Sequence, residues 1–401
     1  LKFRAGLFEN PYADVKAATA ITNNAEARAL ALKVAQRSIT LLKNDGMLPL
    51  VLPKAGTAKP TIAVIGPSAA VARLGGYYGL PPVTISILEG IKAKVGRRAN
   101  IVFAQGVKIT EDDDWWSDKV VLADPAANRK LIAEAVAAVQ GVDQIVLTLG
   151  DTEQTSREGW AKNHLGDRDS LDLVGEQQEL FDALKATGKP ITVVLINGRP
   201  ASINKVAAEA NAILEGWYLG EQGGNAVADV LFGDVNPGGK LPVTFPKSVG
   251  QLPFTYNHKP SARRGYLFAD AAPLYPFGYG LSYSKFEIGA PTLSSAKIGK
   301  SGSVTVSVPV KNVSNRTGDE TVQVYVRDKV SSVTRSVMDL KAFKRITLAA
   351  GQGQTVKFNL TPEAFRMWND KMVRVVEPGE FDIMAGPNSV ELKTVTLTVT
   401  E

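Results

Sequence analysis

"GDTEQTSREGWAKNHLGDRDSLDL", residues 150–173, crowds carboxylates, guanidinium groups, two amide side chains, a Trp and one of the chain's only two histidines into one Gly-punctuated loop. Carboxyl and imidazole groups are the usual material of general acid/base chemistry. Glu158 is a candidate for such a role, yet a loop Glu is ordinarily a solvated carboxylate. Asp151 and Glu153 lie close to the preceding strand-like run, where capping or solvation is the common role. Asp167 and Arg168 read as an ion pair or a turn that holds the loop down. The charge of Arg157 acts on Glu158 according to their separation. His164 serves either as a loop hydrogen-bonding residue or as a ligand contact, and Trp160 either walls a binding site or anchors the loop.

Other stretches have their own chemistry. "LGGYYG", residues 74–79, offers Tyr77, whose flat face and hydroxyl suit either ligand stacking or interior packing. The run "EDDDWW", residues 111–116, has the charge to hold a cation, but like-charged loop carboxylates are more often simply solvated. "GEQGG", residues 220–224, lacks the Lys-Ser/Thr of a P-loop, and "GPSAAVARLGG" does not fit the dinucleotide fingerprint. Both are expected as tight turns and helix starts. Cys is absent, which removes disulfides and thiolate chemistry, and two histidines far apart offer no metal-ligand spacing. No metal and no cofactor are expected.

Elements that must position these residues follow from the apolar pattern. A helix is predicted from Glu26 to about Asn44, then a Pro/Gly/Lys loop at 53–60. "TIAVIGP", "NIVFAQG", "QIVLTLG", "PITVVLING" and "AILEGWYLG" are apolar runs suited to strands buried on both faces. Helical stretches at about 84–95, 128–140 and 175–187, with "ASINKVAAEA" and "GGNAVADVLFGD", alternate with them. That alternation predicts an α/β domain whose mostly parallel sheet is sandwiched by helices. Ligands in such sheets bind beyond the carboxyl ends of the strands, where the 150–173 loop begins. After a Pro-, Tyr- and Gly-rich irregular stretch, "SVTVSVPVKNVS", "ETVQVYVRD", "QTVKFNL", "EFDIMAG" and "KTVTLTVT" alternate at period two. They predict an all-β sandwich of immunoglobulin or fibronectin III-like type.

Composition bounds the rest. A length of 401 residues is too much for one ordinary core. The +6 charge comes from 46 basic and 40 acidic residues, without a Lys/Arg block interleaved with aromatics, so no nucleic-acid partner is expected. No apolar stretch is long enough to span a bilayer, and no membrane association is expected. The start, "LKFRAGLFENPYADVK", lacks a signal-peptide pattern and reads like the tail of a preceding element.

"KFRAGLFENPY", "SITLLKNDGMLPL", "GEQGGNAVADVLFGDVNPGGKLPVTFP" and "YPFGYGLSY" resemble, in sequence and in order, glycoside hydrolase family 3 enzymes of the β-glucosidase type. The resemblance covers nearly the whole chain. It implies a linker from a preceding (β/α)8 barrel at 1–25, an α/β sandwich domain at 26–246, a connecting segment at 247–290, and a fibronectin type III-like domain at 291–401. In the family the nucleophile is an Asp of the barrel, commonly in a Ser-Asp-Trp-like motif, which this sequence lacks; "WSDKVV" at 116–121 lies in the wrong domain. "TSREGWAKNHLGDR" resembles the family's Ser-x-Glu-Gly loop and implies that Glu158 is the general acid/base. Tyr77 occupies the place of an aromatic that stacks on the aglycone-side sugar, and Trp160, Arg157 and His164 join it as candidate substrate contacts. The implied activity is retaining, exo-acting hydrolysis of terminal β-D-glucosyl residues. Its partners are a barrel carrying the nucleophile and a β-linked oligosaccharide or glucoside, and a homodimer is compatible. A β-xylosidase, or a non-catalytic carbohydrate-binding or structural fragment, stays open, and the implied location is periplasmic or extracellular.

Overall fold

The computed structural model describes residues 1–54, 58–79, 81–260 and 265–401. Residues 55–57 of the expected 53–60 loop, and 261–264 of the irregular stretch, therefore lie outside the described residues.

Helix α1, Val15–Ile21, precedes α2, Ala25–Ser38, whose first turn is capped by the Asn24 side chain accepting the Ala27 N–H. The helix predicted from Glu26 to Asn44 stops six residues early. Ile39 turns to extended backbone, φ −60° and ψ 125°, and Thr40–Asn44 forms strand β1. Its apolar residues suited a helical reading equally well, but Leu41 and Leu42 are buried at a sheet edge instead. The other strands are β2 (Thr61–Ile65), β3 (Asn100–Ala104), β4 (Gln144–Gly150), β5 (Ile191–Ile196) and β6 (Ala212–Glu215). Between them run α3 (Ile87–Val95), α4 (Pro125–Ala138), α5 (Gln177–Lys185) and α6 (Asn204–Glu209), and α7 (Gly223–Leu231) follows β6.

The sheet order is β1-β6-β5-β4-β2-β3, with β1 antiparallel and the remaining pairings parallel. Successive strand residues face opposite layers, which is why the runs are apolar throughout. On one face Ile145, Leu147, Val193 and Ile213 pack with Ile132, Leu180 and Val206 of α4, α5 and α6. On the other, Val64, Val146, Val194 and Leu214 pack with Ala35, Ile91 and Val227 of α2, α3 and α7. Winding runs from β2 toward β3 in one direction and from β4 through β5 to β6 in the other. The switch of direction falls between β2 and β4, and that is where a doubly wound sheet opens its ligand crevice.

The C-terminal part is two antiparallel sheets closed over a core that includes Val306, Val308, Val324, Phe381 and Leu397. The order in one is Gly353–Leu360, Val304–Asn312, Phe286–Ile288. In the other, Asp339–Leu348, Gly318–Asp328, Gly379–Gly386 and Lys393–Thr400 lead to Lys297–Gly299, the last pairing being parallel. The period-two runs became these strands. Asp339–Leu348 had no such signal, since its edge position leaves Phe343 exposed and its Lys and Arg residues mask the alternation. The two parts meet through Lys240 paired with Glu320 at 2.8 Å, and through the Gln323 amide donating to the Gly278 carbonyl at 3.0 Å.

Candidate active site

The loops after β2, β3 and β4 leave the sheet together at the switch point, and the loop after β4 is tied down at its root. Gln177 of α5 accepts the Gly150 N–H and donates to the Gly150 carbonyl, both at 2.8 Å. Asp151, 3% exposed, accepts from Arg168 at 2.9 Å, and Arg168 also donates to the Asp172 carbonyl. Arg168, expected with Asp167 to form an ion pair or a turn that holds the loop down, pairs with Asp151 instead, and Asp151 is neither a cap nor solvated. Burial pushes the Asp151 carboxyl up from its usual range, and the charges of Arg168 and Arg199 oppose that shift. Farther along, the Ser156 hydroxyl lies 2.6 Å from the Tyr218 hydroxyl, which donates to the Thr152 carbonyl.

Glu158 stands on this braced base, exposed to solvent, and its carboxylate has no hydrogen bond or ion pair with any described residue. Its neighbours are fixed. The Arg157 guanidinium donates to the carbonyls of Leu165 at 2.9 Å, Trp115 at 2.8 Å and Asp118 at 3.3 Å. The Arg157 carbonyl in turn accepts from Arg199. Arg157, proposed from sequence as a substrate contact, is 3% exposed and turned into the loop, because those carbonyls consume its fork of donors. His164 is likewise buried, at 2%, with its ring 4.6 Å from that of Trp160. The backbone of His164 bridges to Ala161 and accepts the Trp160 N–H, so this His holds the hairpin-like tip. Trp160 is 68% exposed and Tyr77 87% exposed. Those two aromatic faces are open; Arg157 and His164 are not.

Tyr77 sits in left-handed backbone, φ 61°, which a bulky residue adopts only when its surroundings hold it there. Its ring meets Trp115 edge-on at 5.3 Å. The acidic run behind Trp115 is exposed to solvent, as expected, and it is also hydrogen-bonded. Asp112 accepts from Gln154 at 2.8 Å, Asp113 from Arg73 at 2.8 Å, and Asp114 from the Trp116 N–H and the Ser117 hydroxyl. Glu153 is buried as well, and its carboxylate accepts from Arg73 and from the backbone of the Tyr77 loop. "GEQGG" forms the turn and start of α7, as expected.

One feature went unread in the sequence. Glu215, at the carboxyl end of β6, is fully buried and accepts the Trp217 N–H at 2.7 Å. Burial pushes its carboxyl up to about 8, and the nearby Asp151 adds to that. A lone Glu ending the apolar run "AILE" was the available signal. Among the described residues, no group of three or more His, Asp or Glu is placed to hold a metal ion, and no helix is long and apolar enough to cross a membrane.

Residues 39–283 match the glycosyl hydrolase family 3 C-terminal domain, and residues 320–389 match a fibronectin type III-like domain. A β-xylosidase of Formosa agariphila is 44% identical over 99% of this chain and 54% of its own length. A periplasmic β-glucosidase of Salmonella typhimurium is 40% identical over 98% of this chain and 53% of its own. The solved structure of a β-glucosidase from Erythrobacter marinus, at 45% identity, superposes with a TM-score of 0.95 over all of this chain and 54% of that one. A β-glucosidase from Listeria innocua in complex with isofagomine, at 32% identity, gives 0.86 over 99% of this chain and 54% of that one. The chain spans about half the length of these relatives.

Proposed function

This chain belongs to glycosyl hydrolase family 3, and on that premise we propose that it is the C-terminal part of a retaining, exo-acting β-glucosidase with Glu158 as general acid/base. The observation that carries this reading is the setting of Glu158. It is an exposed carboxyl between Arg157, held by its bonds, and Trp160, whose N–H is held by His164, at the crevice of a doubly wound sheet that also presents the open faces of Tyr77 and Trp160. The nucleophile belongs to a (β/α)8 barrel closing over this crevice.

Retaining hydrolysis needs two carboxyl groups about 5–5.5 Å apart. The barrel's carboxylate attacks the anomeric carbon while Glu158 gives its proton to the departing glycosidic oxygen. The same group then takes a proton from the water that releases the glycosyl-enzyme. The closing barrel excludes water and adds its own negative charge, conditions that keep such an acid neutral until it acts. Tyr77 and Trp160 supply faces for the aglycone-side sugar, while Arg157 and His164 keep the loop in shape. The name of the Salmonella relative supports a periplasmic or extracellular site of action.

A Glu158→Ala variant of the barrel-containing enzyme tests the acid/base role. Turnover of cellobiose falls by roughly 10²–10⁴, the worth of a positioned acid/base. An aryl glucoside with a good leaving group is spared in its first step, and azide restores turnover. Unchanged cellobiose hydrolysis sinks the reading. The β-xylosidase relative supports a second reading, in which the glycone is xylose. Comparing nitrophenyl β-glucoside with nitrophenyl β-xyloside separates the two.

A further inference from the structure

We propose that Glu153 is a positioning residue that sets aglycone specificity by fixing the Tyr77 face relative to Glu158. This rests on the reading of Glu158 as acid/base and Tyr77 as an aglycone-side contact.

Glu153 precedes Glu158 by five positions on the same loop, yet its carboxylate is spent on a different one. Oε1 accepts the N–H groups of Leu74 at 3.0 Å and Gly75 at 3.4 Å, and Oε2 accepts from Arg73 at 3.0 Å. Three consecutive residues of the Tyr77 loop thus converge on one buried carboxylate, which ends two residues short of Tyr77 itself. A carboxyl group has acceptor sites on both oxygens, enough for all three. Arg73 is shielded too, and reaches on to Asp113 beside Trp115.

The support behind Tyr77 is built from the same loop. Gln154 donates to Asp112 and to the Asp114 carbonyl, and Arg157 donates to the Trp115 carbonyl. Trp115 in turn packs against Tyr77 and lies so close to Gly76 that a β-carbon there would come within 2.4 Å of its ring. Glu153 therefore holds the backbone leading to Tyr77 while Gln154 and Arg157 hold the surface its ring leans on. The aromatic face and the acid are carried on one assembly, and Tyr77 keeps its left-handed backbone because that assembly imposes it.

The test compares cellobiose with β-glucosyl fluoride, which has no aglycone ring, in the barrel-containing enzyme carrying E153A, E153Q, Y77A or E153A with Y77A. For E153A we expect kcat/KM on cellobiose to fall about 10-fold, chiefly through KM, with the fluoride changed less than about 3-fold. Y77A shows the same split, and the double variant is no worse than the poorer single one, because both remove one interaction. Amide exchange at Leu74 and Gly75 speeds up in E153A. E153Q keeps an acceptor for those amides but turns an N–H₂ toward Arg73, so its loss is intermediate; it carries the test if E153A does not fold. Additive losses, or equal losses on both substrates, overturn the proposal and reduce Glu153 to a structural ion pair. A Y77A enzyme that handles cellobiose like its parent overturns it together with the Tyr77 reading. Azide rescue of Glu158→Ala reports on the acid/base separately.

Discussion

Gly166 lies against the backbone of Glu158 so closely that a β-carbon on it would come within 2.4 Å of the Glu158 carbonyl carbon and 2.5 Å of its oxygen. The Arg157 carbonyl oxygen would be 2.6 Å away. Backbone atoms cannot rotate out of the way as a side-chain tip can. The returning strand of the loop therefore passes behind the carboxyl only because residue 166 has no side chain.

Gly166→Ala should push Glu158 off its position while leaving both cores intact, since Gly166 and its neighbours Leu165 and Asp167 belong to neither. A misplacement near 1 Å costs about 100-fold in rate where acid and substrate must be aligned. Cellobiose turnover measured beside glucosyl fluoride turnover checks this: the first falls steeply and the second, which needs little protonation, far less. A variant with parental kcat on cellobiose would show that the close approach does not set the acid.

Arg168 carries the matching prediction at the loop's root. It pairs with Asp151 at 2.9 Å, with the Asp151 side chain 5% exposed. Removing one member of a buried pair leaves an uncompensated charge, so Arg168→Ala should lower stability by roughly 3 kcal/mol. Changing Asp151 to Asn in the same chain should return much of that loss, because the stranded charge is then gone. Chemical denaturation of the single and double variants decides it, and a double variant no more stable than R168A would mean that lost packing, not charge, was the cause.

How far these features were legible depends on where the partners lie along the chain. The strands and most helices follow from local periodicity, and the place of the 150–173 loop follows from its origin at the end of β4. The end of α2 does not, because Thr40–Asn44 becomes a strand only by pairing with Ala212–Glu215, some 170 positions on. The loop's bracing is non-local in the same way. Arg73 reaches Asp113 across 40 positions and Glu153 across 80, and Trp115 meets Arg157 across 42. Sequence order paired Arg168 with its neighbour Asp167, whereas loop closure pairs it with Asp151. Arg157 and His164 are of types that contact sugars, and only the fold shows that they are buried.

Glu215 supplies the prediction about pH. Its Oε1 accepts the Trp217 N–H, while Oε2 and the nearby Asn197 Oδ1 are both buried with no hydrogen bond among the described residues. Burial, opposed by the Trp217 N–H and by Asn197, holds a proton on this carboxyl up to about 8. An unfolded Glu releases its proton near about 4.3, so the folded chain binds the extra proton between the two values. The stabilisation is therefore complete below the unfolded value and is lost as pH rises through about 8, at up to roughly 1.4 kcal/mol per pH unit. Glu215→Gln keeps an acceptor for Trp217 and can turn its amide donors toward Asn197 without a titrating proton. Denaturant unfolding from about pH 5 to about pH 9 should give the parent a steady decline that the variant largely lacks, so that the variant is the more stable chain at the alkaline end. Equal slopes for the two chains would mean that Glu215 is charged in the folded state and that the orphaned oxygens are satisfied in another way.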